Sequence, residues 1–300
     1  GTLGVITEIK FGLIKPKSDR RLLVIFLKDL KKLAEITHKL LEFKPESLES
    51  YDDHTFKIAI KFLPDLAKKL KGNIFRLGFN FLHEFWLIFT KGMPKLIILA
   101  EFSSDTADMA YKKTKSAEKA LAGFNLDTKI TLPGYDTEKY WVIRRESFNF
   151  LRQKIKNLRT APFIDDIIVS PDHLPEFLPQ LYKILDEYPI IYTIAGHVGD
   201  GNFHIIPLMD LNDSKSKDFI LSISRRVYDL ILKFNGSITA EHNDGLIRGP
   251  YLKQFFGSEV YKLFEDLKNI FDPDNIFNPG KKVGSSLEYA LKHFDSNEIN

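Results

Sequence analysis

The chain has 300 residues, 44% of them apolar and 28% charged, and its 43 basic against 40 acidic side chains leave a net charge of +3. That is ordinary globular composition with room for one large or two smaller domains, and the balance is too even for the clustered basic face of a nucleic-acid binder. Cysteine is absent, which removes disulfides, thiolate metal sites, iron–sulfur ligation and a cysteine nucleophile within the chain and fits a reducing, cytoplasmic setting.

In chain order, residues 1–15 read as a glycine turn followed by strand-like alternation over 5–11, and the breaker cluster Pro16-Lys17-Ser18-Asp19 marks a first boundary. Residues 22–27 predict a fully apolar strand, and residues 28–43 carry helical periodicity through Leu30, Leu33, Ile36, Leu40 and Leu41. The greasiest stretch, 73–89, is interrupted by Arg76, His83 and Glu84. No uncharged apolar run reaches the ~18 residues of a spanning helix, so a buried helix is the expectation there, with a peripheral membrane contact as the alternative.

A second apolar strand follows at 94–102, then a helix from about 106 and a long one over 135–158. A strand is expected at 164–169, a helix with a proline start at 171–188, a strand pair at 190–208, a helix at 216–234, a short strand at 237–240 and helices over 250–270. Strand–helix–strand units with antiparallel returns predict an α+β fold of the ferredoxin-like kind, its sheet covered by helices on one face. The polar end from Ser296 is expected to fray.

Three stretches carry chemistry. In Gly196-His197-Val198-Gly199-Asp200-Gly201-Asn202-Phe203-His204, Asp-Gly between apolar runs predicts a two-residue hairpin loop that sets His197 opposite His204. Two imidazoles so placed suit a late first-row divalent metal, against the blander reading of a hairpin with two surface histidines. Ala240-Glu241-His242-Asn243-Asp244-Gly245 ends a predicted strand in a polar turn. Glu241 could complete a two-histidine, one-carboxylate set, with His242 free as a general base; alternatively this is a capped turn. Asp272-Pro273 and Asn278-Pro279-Gly280-Lys281 read alone as loop.

Their order is more specific than any one of them. Gly1-Thr2-Leu3-Gly4, then Gly-His-x-Gly-Asp-Gly-Asn-x-His, then Glu-His-x-x-Gly, then Asp-Pro-x-x-x-x-Asn-Pro-Gly-Lys resembles the C-terminal half of the FAD-linked oxidases, among them D-lactate dehydrogenases, the flavin subunit of glycolate oxidase and D-2-hydroxyglutarate dehydrogenase. The resemblance implies that residues 1–18 are the end of an FAD-binding domain lying mostly upstream, that 19–270 form the substrate (cap) domain, and that 271–300 return to the flavin. A chain so truncated is not expected to retain FAD by itself. It implies His197, His204 and Glu241 as ligands of a divalent metal, zinc or manganese, and His242 as the base. Asn202 and Arg145 would face the substrate, with Arg145 on its carboxylate, and Gly1, Thr2, Gly4 and Asn278 would lie at the FAD; apart from the resemblance, Arg248 in the turn after His242 could bind the substrate by pairing with a second carboxylate.

The implied reaction is oxidation of a 2-hydroxy acid with hydride transfer to flavin. The dicarboxylate-specific members have a lysine near Ile164-Asp165-Asp166 that this chain lacks, which favours a small acid such as D-lactate or glycolate. The Glu-His-Asn-Asp-Gly variant resembles members associated with iron–sulfur oxidoreductases and implies such an electron acceptor. The rival expectations are a metal-free flavin oxidoreductase for another alcohol and a non-catalytic cap that only binds a partner.

Overall fold

The structure is a computed structural model and describes residues 2–70, 81–155 and 157–293. In chain order its strands are β1 (Asp19–Leu27), β2 (Ser47–Asp52), β3 (Leu96–Ser104), β4 (Asp127–Ile130), β5 (Arg159–Thr160), β6 (Ile167–Ile168), β7 (Ile191–His197) and β8 (Asn202–Met209). The helices are α1 (Leu33–Leu41), α2 (Asp53–Lys61), α3 (Leu63–Lys69), α4 (Leu82–Lys91), α5 (Ala107–Ala120), α6 (Tyr135–Lys154), α7 (Leu174–Asp186), α8 (Ser216–Lys233), α9 (Gly245–Arg248), α10 (Leu252–Phe271) and α11 (Leu287–Lys292). The predicted strand–helix succession is therefore present. Among the described residues the strands form one antiparallel sheet of order β4-β1-β3-β2-β7-β8-β5, with β6 also on β8.

Helices cover both faces of the sheet, where the sequence suggested one. The cause is visible in β1, whose residues 22–27 are all buried. Leu23, Ile25 and Leu27 enter a core with α1, α5, α7 and α8, while Leu22, Val24 and Phe26 enter a second core with α2, α3, α4 and α6. An unbroken apolar strand is what a sheet buried on both faces requires. Three other expectations fail. Residues 5–11 form no strand, and Val5, Ile6, Ile9 and Phe11 stand exposed, because their alternation meets no neighbouring strand to complete a ladder. The expected strand at 164–169 contracts to β6, and that at 237–240 to a single bridge between Ser237 and Ile168. The fraying segment from Ser296 lies outside the described residues.

The β7–β8 hairpin differs in register from its prediction. Its last pair is His197 with Asn202, and His204 faces Ala195, so the turn spans residues 198–201. A two-residue type I′ loop needs positive φ at both central positions. Only Gly201 has it here, at +74°, and its carbonyl accepts the Val169 N–H at 3.1 Å. The slip moves each partner by two residues, so side-chain parity survives and His197 and His204 still project from the same face, as diagonal neighbours.

Gly196 fixes this register: a Cβ there would lie 2.2 Å from the Asn202 carbonyl oxygen and 2.7 Å from the Phe203 Cα. Both are backbone atoms of the paired strand and cannot turn aside. Gly196→Ala should therefore cost at least about 2 kcal/mol, as overpacking against rigid neighbours does. In urea titration the midpoint should fall at unchanged slope; an unmoved midpoint would show that the hairpin adapts freely.

Candidate active site

The hairpin end of β7 and β8 carries the chemistry. Cross-strand register aligns Glu49 of β2 next to His197, since Ser50 pairs with Gly196 and Tyr51 with Ala195. Glu49 Oε1 lies 2.9 Å from His197 Nδ1, and the other Glu49 oxygen pairs with Arg144 of α6. On the next strand, His204 Nδ1 is 3.1 Å from Asp165 Oδ1. Each histidine thus has one ring nitrogen held by a carboxylate. Both remaining nitrogens face Glu241, whose Oε1 is 3.4 Å from His197 Nε2 and 2.9 Å from His204 Nε2, while the ligand atoms of Asp166, His204, Glu241 and His242, a group without His197, lie within 4.8 Å of one another. The rings of His197 and His204 meet edge to face at 5.5 Å, and that of His242 stacks on His204 at 5.3 Å. His242 Nδ1 lies 3.5 Å from Asp165 Oδ2 and the side chain is about half exposed.

Residues 239–242 are not held by a regular element. They wrap Asp166, a fully buried carboxylate in the left-handed region at φ +62°. Its oxygens accept the N–H groups of Ala240, Glu241 and His242 at 2.8–3.2 Å, the Thr239 hydroxyl at 3.2 Å and the Asn202 amide at 3.2 Å. Burial pushes the Asp166 carboxyl up, but these backbone donors outweigh it and hold it below the usual carboxylate range. Asp166 lies within reach of His204, Glu241 and His242, yet with its oxygens engaged by the backbone it organises the loop. Burial likewise lowers the His204 imidazole, and Asp165 and Glu241 more than compensate, so its pKa is raised. Glu49 and Asp165 flank the histidines, Glu49 paired also with Arg144.

The other predicted site residues divide. Asn202 is buried, its amide nitrogen bonded to Asp166 and the Ile167 carbonyl, while its oxygen has no partner. Arg248 is buried and donates to the carbonyls of Asp165 and Asn243, at 2.8 and 2.7 Å, joining the two loops that carry the histidine partners. Through those two bonds it braces the loops that carry Asp165 and Asn243. Arg145 does not reach the site. It is exposed, bonds Glu138 at 3.0 Å and lines an open cavity of about 720 Å³ with Trp141 and Lys69, a cavity whose lining includes none of the three histidines. Adjacent helical residues point about 100° apart, so only one of Arg144 and Arg145 can face the sheet, and it is Arg144.

Thr2 is buried, Gly4 has nothing within 4 Å of a hypothetical Cβ, and Gly1 lies outside the described residues. Asn278 is exposed in a turn at φ +51°, its carbonyl accepting from Lys281. From the same tail Lys282 pairs with Asp244, and its N–H reaches the Gly245 carbonyl at 3.2 Å, tying the C-terminal segment to the turn after His242.

Sequence reasoning missed Glu49 and Arg144 as members of the site and Asp166 as its organiser. A glutamate inside the otherwise inward-reading strand Leu48-Glu49-Ser50-Tyr51 was the available signal.

The antiparallel sheet between helical layers is a fold shared with solved flavin-oxidase structures. p-Cresol methylhydroxylase matches 93% of the chain with 55% of its own (TM-score 0.62, 13% identity), and 4-ethylphenol oxidase from Gulosibacter chungangensis matches 89% with 54% (TM-score 0.61, 12% identity). At those identities the likeness is one of fold. The chain belongs to the family "FAD linked oxidases, C-terminal domain", whose family model matches residues 16–282. D-2-hydroxyglutarate dehydrogenase of Pseudomonas putida is 27% identical over 293 residues, covering 94% of this chain and 27% of that protein. Glycolate oxidase subunit GlcD of Bacillus subtilis is 24% identical over 284 residues, covering 94% of this chain and 54% of that one. The chain therefore spans about a quarter to a half of these relatives' length.

Proposed function

We propose that this chain is the substrate-side domain of an FAD-dependent dehydrogenase that oxidises a small D-2-hydroxy acid to the 2-oxo acid with the help of a divalent cation. The observation that carries the reading is the orientation of the two imidazoles: each has Nδ1 on a carboxylate and Nε2 toward Glu241. Carboxylates in that position fix the tautomer and raise the basicity of ligating histidines. The donor set suits zinc or manganese, with His197, His204 and Glu241 as ligands.

The cation would supply Lewis acidity toward the substrate hydroxyl. The flavin would supply acceptance of the electron pair from the α C–H bond. The chain's own residues do the rest. His242, half exposed and stacked on His204, would take the hydroxyl proton. In the role first given to Arg145, we assign Arg144 to the substrate carboxylate: its guanidinium lies across Glu49 from His197. A bidentate arginine–carboxylate pair there would fix the α-carbon in one orientation. The acceptor we propose is an iron–sulfur protein or domain, on the sequence of the turn after His242.

The small-acid preference rests on charge. Ile164 is fully buried in the core and offers nothing to a ligand, while Asp165 lies at the site between His204 and His242. A second substrate carboxylate there would meet a negative neighbour, and Arg248 is engaged by backbone carbonyls. Dye reduction by the full-length enzyme should show higher kcat/KM for D-lactate or glycolate than for D-2-hydroxyglutarate. Arg144→Ala should lower kcat/KM by roughly 10²-fold or more, as loss of a charge-paired contact does, and Arg145→Ala should stay near wild type. A preference for D-2-hydroxyglutarate, or the reverse ranking of the two arginines, would overturn the assignment.

A further inference from the structure

The turn that carries His242 is tied to the C-terminal segment by the pair between Asp244 and Lys282. Asp244 stands two residues after His242, immediately before α9, and is buried, with one carboxylate oxygen that has no hydrogen-bond partner. Its other oxygen meets the Lys282 ammonium from 38 residues further along the chain. A buried carboxylate is costly unless a cation faces it, so this partner is needed where it stands.

Lys282 is held in place from several sides. Its φ of +63° lies in the left-handed region, which few residues other than glycine adopt, so contacts around it must outweigh the backbone's own preference. Its N–H donates to the Gly245 carbonyl at 3.2 Å, and Gly284 beyond it donates to the Tyr261 hydroxyl of α10 at 3.2 Å. The side chain passes Phe264 of the same helix, with the ammonium 5.7 Å from the ring centre, and is only 18% exposed. The ammonium therefore reaches Asp244 from a fixed direction. Asp166 holds the His242 N–H at 2.8 Å and Arg248 holds the Asn243 carbonyl at 2.7 Å, both on the backbone. Lys282 holds the side chain that follows, and it comes from a different part of the chain.

We infer that Lys282 is a positioning residue: through Asp244, the C-terminal segment sets the orientation of the turn that carries His242. The consequence for catalysis rests on the proposed role of His242 as the base, whereas the tie itself does not.

The test uses the full-length enzyme carrying Lys282→Met, which keeps the length of the side chain but not its charge, and Lys282→Arg, which keeps the charge. Lys282→Met should lower kcat for D-lactate or glycolate by at least about tenfold while KM stays within about threefold, as lost alignment without lost substrate contact does. Lys282→Arg should lie closer to wild type. At fixed pH, diethylpyrocarbonate should modify His242 at least about threefold faster in Lys282→Met than in wild type, because the freed turn opens more often. The rate is read by peptide mass spectrometry against the exposed His173 just before α7 as internal reference. Since Lys282→Met leaves a buried carboxylate unpaired, Lys282→Met/Asp244→Asn serves as a second variant: it removes the stranded charge and should remain as slow as Lys282→Met. Wild-type kcat in either variant, an equal loss in Lys282→Arg and Lys282→Met, or an unchanged ratio of His242 to His173 modification overturns the inference. If the wild type oxidises neither acid, the proposed function falls, and the modification ratio still decides the role of Lys282.

Discussion

Asp166→Ala is expected to destabilise the protein by at least about 3 kcal/mol and to abolish activity together. The carboxylate is buried and accepts from three successive backbone N–H groups, a hydroxyl and an amide. Hydrogen bonds to a charged group contribute roughly 1.5–3 kcal/mol each, and alanine would leave the donors unpaired and occupy a left-handed position that disfavours a Cβ. Since the same N–H groups belong to Glu241 and His242, the proposed ligand and the proposed base lose their placement along with the fold energy. Asp166→Asn keeps the shape but loses the charge and should fall between. The acid limb offers a second readout. The folded-state pKa is depressed, so the Asp166 contribution is complete above its unfolded value, about pH 4, and disappears as pH falls through the lower folded value. Urea unfolding of wild type and Asp166→Asn should therefore diverge above pH 4 and converge toward pH 2. Parallel curves across that range would remove Asp166 from its organising role.

His204→Ala should lose the bound cation from the full-length enzyme and with it at least roughly 10²-fold in kcat/KM. Asp165→Asn should give a smaller change of about 10- to 100-fold in cation affinity, because Asp165 orients the ligand from its Nδ1 side. Metal analysis after gel filtration, followed by chelation and restoration with zinc or manganese, distinguishes the two variants from wild type. Equal metal content in wild type and His204→Ala would falsify the ligand assignment. It would leave the histidines as a hydrogen-bonded cluster around Glu241.

Metal removal should also separate the roles of Glu241 and His242, which are neighbours in sequence. The Glu241 oxygen lies between two imidazole nitrogens, whereas His242 contacts Asp165 and the face of His204. Chelation should therefore leave Glu241→Gln unchanged relative to its own untreated state, while it should still lower the activity remaining in His242→Gln.

Much of the fold was legible because its signals are local or periodic. The apolar run 22–27, the helical spacing at 30–41 and the Asp-Gly turn between the apolar runs of 190–208 each imply an element through the backbone's own geometry, and each is present as β1, α1 and the β7–β8 hairpin. The ordered motifs likewise identified the family, since residue order is a property of sequence. What the sequence could not decide was set by contacts between distant segments. The hairpin register depended on Gly196 lying close under Asn202 and Phe203 and on Gly201 seating against Val169, and whether one or both sheet faces are covered depended on where the helices pack. Arg144 and Arg145 are equivalent as text; only the rotation of α6 against β2 brings one to Glu49 and turns the other to Glu138. Asp166, some 75 residues from the turn it organises, had no local signal at all, because its role consists of hydrogen bonds that exist only after the chain has closed that loop.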